Sequence, residues 1–136
     1  MAQGFGIELE CFGLNRTEIA EILDNTDGSH FVGAYRWHGG PTTDSRVNGV
    51  ENVNLGWKWE TDSSVSPRGY RSNMGHEIIS PILYGKRGMQ HAKKIIKALS
   101  KAGAKVNSTC GMHLTMGIKN ARTERFSEER LKARLF

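Results

Sequence analysis

The sequence predicts an α+β domain, an antiparallel or mixed β-sheet with helices packed on one of its faces. Three observations lead there. Four stretches alternate apolar and polar residues with the period of two that marks a strand. One stretch, 89–102, repeats its apolar residues with the period of a helix. The segments between them include both hairpin-length and helix-length connections. At 136 residues the chain has the commonest size of one domain, read here as 1–136, and can bury a core without staples.

The first strand covers 4–11. Phe5, Ile7, Leu9 and Cys11 fall on one face, and Gly6, Glu8 and Glu10 on the other. Glu8 and Glu10 therefore stand about 7 Å apart along the strand. On the alternation alone this suits a solvent-exposed edge strand with two hydrated glutamates. The competing reading is a carboxylate pair joined by a divalent cation, which relieves the repulsion between them.

Asn15-Arg16-Thr17-Glu18 reads as an N-cap with the acidic partner of a capping box, and Ile19, Ile22 and Leu23 supply a short apolar stripe. The turn residues at 24–28 end this helix near residue 25. Residues 26–54 read as a long irregular loop, with 31–37 a candidate strand inside it. A loop of that length is expected to lie over a site or to be poorly ordered.

Strand character returns at 55–65, where Trp57, Trp59, Thr61 and Ser63 oppose Lys58, Glu60, Asp62 and Ser64. A third strand, 75–83, sets Glu77, Ile79 and Pro81 against His76, Ile78, Ser80 and Ile82, with Pro81 marking an edge or an end. Met89, Ala92, Ile95, Ile96, Leu99 and Ala102 make the helical stripe, closed by Gly103. The fourth strand, 112–118, points Met112, Leu114 and Met116 one way and His113 and Thr115 the other. Residues 119–136 form a C-terminal extension with a short helix starting after Ser127.

Two cysteines, Cys11 and Cys110, make no disulfide framework, and buried thiols in a reducing compartment are expected. Neither a membrane-spanning run nor a signal peptide is legible, so the expected location is the cytoplasm. The net charge is +5, and the segment 86–105 holds seven basic and no acidic residues. Nucleic acid, a phosphorylated ligand or an acidic protein would each fit such a segment. The expectation is nevertheless a solvated helix face, and nucleic acid is not expected as a partner, because no aromatic residue is interleaved for base stacking.

Glu8, Glu10, Glu77, His113 and, less directly, Asp62 gather on the face away from the helices. Carboxylates with one imidazole suit a hard divalent cation, Mg²⁺ or Mn²⁺. The wording and order of four motifs are more specific than their spacing. They are Phe5-Gly6-Ile7-Glu8-Leu9-Glu10, Trp59-Glu60-Thr61-Asp62-Ser63-Ser64-Val65, Glu77-Ile78-Ile79-Ser80-Pro81-Ile82-Leu83 and Cys110-Gly111-Met112-His113-Leu114-Thr115. Together they resemble the amidoligase family, a branch of the glutamine synthetase and glutamate–cysteine ligase superfamily. The run Asn107-Ser108-Thr109-Cys110-Gly111-Met112-His113 is also similar to the histidine motif of glutamine synthetase.

That resemblance implies an ATP-dependent ligase that joins a carboxylate substrate to an amine through an acyl phosphate. It implies metal-binding roles for Glu8, Glu10, Glu77 and His113, and a substrate or metal contact for Asp62. The family's second histidine, associated with nucleotide phosphates, is replaced by Thr115. The family's catalytic domain also continues past the histidine strand, where this sequence has only 119–136, with Arg122, Arg125 and Arg130 as candidate phosphate-binding substitutes. Two expectations follow. Either a homodimer or a partner completes an active ligase, or the chain is an inactive derivative that binds a protein target, of a kind plausible in a phage or mobile element.

Overall fold

The computed structural model describes residues 3–36, 40–60, 75–106 and 110–116, with 124–125 as backbone alone. In chain order its elements are β1 (Gly4–Cys11), α1 (Arg16–Asn25), β2 (His30–Tyr35), β3 (Gly56–Glu60), β4 (His76–Ile79), β5 (Leu83–Tyr84), α2 (Gly85–Ala102), β6 (Met112–Met116) and β7 (Glu124–Arg125). The expected residues 61–65 of the second motif strand, the end of the last one at 117–118 and the C-terminal helix lie outside the described residues.

The strands form one sheet in the order β2-β3-β4-β1-β6-β7, with β5 also paired to β1. The β2–β3 pair is parallel and the others are antiparallel. The α+β class and the mixed sheet are thus as the sequence predicted. The hydrated-edge reading of β1 is not. β1 is flanked by β4 on one side and β6 on the other, so Glu8 and Glu10 stand in the interior of the sheet.

One face of the sheet is the core. Phe5, Ile7 and Leu9 of β1, Trp57 and Trp59 of β3, Ile78 of β4, and Met112 and Leu114 of β6 share a cluster with Ile19 and Leu23 of α1 and Ala92, Ile95, Ile96 and Leu99 of α2. Both helices therefore cover the same face. α1 starts as its sequence dictates, with the Asn15 side chain accepting from the Glu18 N–H at 2.8 Å and Glu18 Oε1 accepting from the Asn15 N–H at 3.0 Å. α2 ends on Gly103, whose left-handed φ of 115° suits a residue without a Cβ.

Two boundaries differ from the sequence reading for local reasons. The run 75–83 is not one strand, because Ser80-Pro81 interrupts it. Ser80 pairs with Ile7 through its N–H and also through its hydroxyl, which takes the Ile7 N–H at 2.8 Å and donates to the Pro81 carbonyl at 2.7 Å. Pro81 has no N–H to continue the ladder. α2 begins at Gly85 rather than Met89, since a neighbour organises its start. Asn52 donates to the Tyr84 carbonyl at 2.8 Å and accepts from the Tyr84 N–H at 3.0 Å, while the Tyr84 hydroxyl donates to Asp44 at 2.8 Å. The same bonds fasten the described part of 40–54, and β2 occupies 30–35.

Each tryptophan of β3 donates its indole N–H to a buried histidine. Trp59 reaches His76 Nδ1 at 2.7 Å, and the other His76 nitrogen donates to the Leu14 carbonyl. Trp57 reaches His91 Nε2 at 2.9 Å, and His91 Nδ1 donates to Asp27 Oδ2 at 2.9 Å. Both rings are thereby held as neutral imidazoles, with burial pushing each below the ordinary histidine range against the hydrogen bonds that raise it. A neutral buried histidine means that the unfolded chain binds more protons near and below the ordinary value of 6.5. Stability is expected to be full above that pH and to fall as pH drops through it, by up to about 1.4 kcal/mol per pH unit for each histidine. Chemical denaturation between neutral and mildly acidic pH checks this. His91→Gln should flatten the profile, and a wild-type profile that is already flat would contradict it.

Candidate active site

On the face away from the helices the register builds the site. Glu60 of β3, Glu77 of β4 and Glu10 of β1 are directly opposed in one cross-strand row. Lys58, Ile79, Glu8 and His113 make the next row, across β3, β4, β1 and β6. Gly6 and Thr115 follow in a third. Neighbouring strands are about 4.8 Å apart, so three carboxylates stand abreast at strand spacing.

This row is dry. Glu60, Glu77 and Glu10 are 2%, 6% and 8% exposed. Directly opposed like charges destabilise a sheet, and burial raises the cost. Two basic groups flank the acids. Lys58 Nζ lies 2.9 Å from Glu60 Oε2 and donates to the Gly40 carbonyl at 3.4 Å. At the other end His113 Nδ1 lies 3.4 Å from Glu8 Oε2 and 4.0 Å from Glu10 Oε1. Glu8 and His113 are half-buried, which leaves this end the accessible one.

A cavity of about 180 Å³ opens beside Glu8, lined by Gly6, Ile79, Ser80, Ile82 and Thr115 from the sheet region and by Thr42 from the long loop. Thr42 is the residue of that segment that reaches the cavity. The cavity joins an apolar wall, Ile79 and Ile82, to the carboxylate of Glu8 and the hydroxyls of Thr42 and Thr115.

Five of the residues singled out in the sequence, Glu8, Glu10, Glu77, His113 and Thr115, thus come together. Asp62 lies outside the described residues, as do Arg122 and Arg130. Arg125 pairs in register with Thr115 across β6 and β7. The residues missed were Lys58 and Glu60. Their alternation already set them on the face of Asp62, but only the β3–β4 register shows that Glu60 extends the Glu77–Glu10 row.

In donor type these side chains fit a hard divalent cation, four carboxylates with one imidazole. In the conformations present, no three His, Cys, Asp or Glu side chains among the described residues are grouped as ligands.

A mixed sheet with helices on one face and a buried acidic row on the other defines an α+β protein with a sheet-borne polar site. The family model described as "putative amidoligase enzyme" matches residues 2–128, and the chain belongs to that family. Ligase-like function is what that membership indicates. No curated protein and no solved structure matches the chain.

Lys58→Met withdraws a buried positive charge from beside this row and is expected to cost about 3–5 kcal/mol in urea denaturation. Adding Glu60→Gln should recover most of the loss. A single variant as stable as wild type would contradict the pairing of Lys58 with this row.

Proposed function

We propose that the chain is an ATP-dependent carboxylate–amine ligase whose reaction surface is the polar face around Glu8, Glu10, Glu77 and His113. The observation that carries this reading is the convergence of those four residues on one face in a member of the amidoligase family. Glu8, Glu10, Glu77 and His113 are the residues that would hold Mg²⁺ or Mn²⁺. Such an ion neutralises phosphate oxygens during phosphoryl transfer.

The chain's own residues supply the remainder. In the proposed reaction a substrate carboxylate takes the γ-phosphoryl group of ATP with release of ADP. An amine then displaces phosphate from the acyl carbon and loses a proton. The cavity beside Glu8 offers a seat for the acyl substrate, with Ile79 and Ile82 against its carbon chain. Thr42 and Thr115 line the same cavity, and in this reading their hydroxyls donate to substrate oxygens.

One observation favours a second reading, a binding module without catalysis. His113 leans on Glu8 and Glu10, and Lys58 on Glu60, so these side chains contact one another rather than surround a common point.

Thermal and chemical stability with and without MgATP separates the two. A ligand at a hundred times its Kd adds about 2.7 kcal/mol. The ligase reading expects that increment for wild type and its loss in Glu8→Gln, whose stability without ligand should be little changed. Wild type unmoved by nucleotide, Mg²⁺ or Mn²⁺ would leave the binding module.

A further inference from the structure

Helix α2 turns its polar side away from the sheet, and that side carries one sign of charge. Lys86, Lys93, Lys97 and Lys101 are exposed. At about 100° per residue they fall within roughly 80° of arc, directly opposite the buried stripe. With a rise of about 1.5 Å per residue, the last three stand about 6 Å apart along a ridge of roughly 22 Å. No acidic residue occurs between 86 and 105. Lys94 lies off this line, where Asp27 takes it at 3.1 Å. The neighbouring helix α1 exposes Glu18, Glu21 and Asp24.

The chemistry of the ridge selects its occupant. The other exposed residues of α2 are Gly85, Arg87, Gln90, Ser100 and Ala102, without an aromatic or large aliphatic anchor. Protein interfaces are depleted in lysine and built around such anchors, so an acidic protein is a poor fit. Insertion into an anionic lipid surface would need the apolar side of α2, which is buried against the sheet. A nucleic-acid duplex needs neither. It carries one negative charge per about 1.7 Å of axis, and its binding is driven by release of condensed counterions. The absence of aromatic residues excludes base stacking on single strands but has no bearing on contact with a duplex backbone. Between duplexes, B-form DNA has a major groove of about 12 Å that admits an α-helix, whereas the corresponding groove of duplex RNA is deep and narrow.

We propose that the lysine ridge of α2 binds the phosphate backbone of double-stranded DNA without sequence preference. Contacts to phosphate position a protein and read no bases. This departs from the sequence expectation of a merely solvated face. It is independent of the ligase reading, since the ridge belongs to the helix layer and the acidic site to the opposite face of the sheet.

The test is fluorescence anisotropy of the full chain with a labelled random-sequence DNA duplex. With four lysines engaged, the slope of log K against log salt should be about −3.6, an affinity loss of roughly 150-fold between about 50 and about 200 mM salt. Lys93→Ala/Lys97→Ala/Lys101→Ala should keep the wild-type melting temperature yet reduce that loss to roughly 3.5-fold, while Lys94→Ala leaves it nearly unchanged. The proposal is overturned by absence of binding at low salt, by salt-independent binding, or by a triple variant that binds like wild type. Equal affinity for an RNA duplex, displacement by polyglutamate at matched charge, or preference for anionic vesicles would overturn it as well.

Discussion

Everything on the polar face depends on one constraint, the register that sets β3, β4 and β1 side by side with their glutamates level. Three carboxylates at strand spacing in a dry environment are a cost, and an antiparallel ladder has no means of relieving it by itself. Within the same face Lys58 pairs with Glu60 at one end, and His113 lies beside Glu8 and Glu10 at the other. Stability comes from the opposite side, where the alternate residues of the same strands meet α1 and α2 in a single core. The sheet thus divides its labour by parity, with each strand contributing one set of residues to cohesion and the other to chemistry.

This division explains what the sequence disclosed. Period-two alternation in β1, β3 and β6 separated Phe5, Ile7 and Leu9 from Glu8 and Glu10, and Met112 and Leu114 from His113, without any knowledge of neighbours. α1 was legible because its capping box is a local contact between residues three apart. The core stripe of α2 was legible for the same reason, since helical period is a local property.

What escaped were the features set by partners distant in sequence. Nothing around Glu60 reveals that it will stand beside Glu77, because strand order and register are fixed by packing between remote segments. The early start of α2 depends on Asn52 and Asp44, which come from a loop with no regular period. β1 was legible as a strand but not as an interior one, since alternation says which face is wet and not how many neighbours a strand has. His91 was hidden inside a stripe read as apolar, and its role required Trp57 and Asp27 from two other elements.

Ser80 gives the register a physical lock. By offering Ile7 both its N–H and its hydroxyl, it fixes β1 against β4 at the one place where the ladder breaks for Pro81. The lineage of this fold is therefore freer to exchange side chains than to change length here. A single-residue insertion between Glu77 and Ser80 would delete no functional group. It would nonetheless turn part of β4 over, sending a carboxylate toward the helices and an apolar residue toward the site. In families of such proteins, length variation should collect in the loops and be absent from this short run.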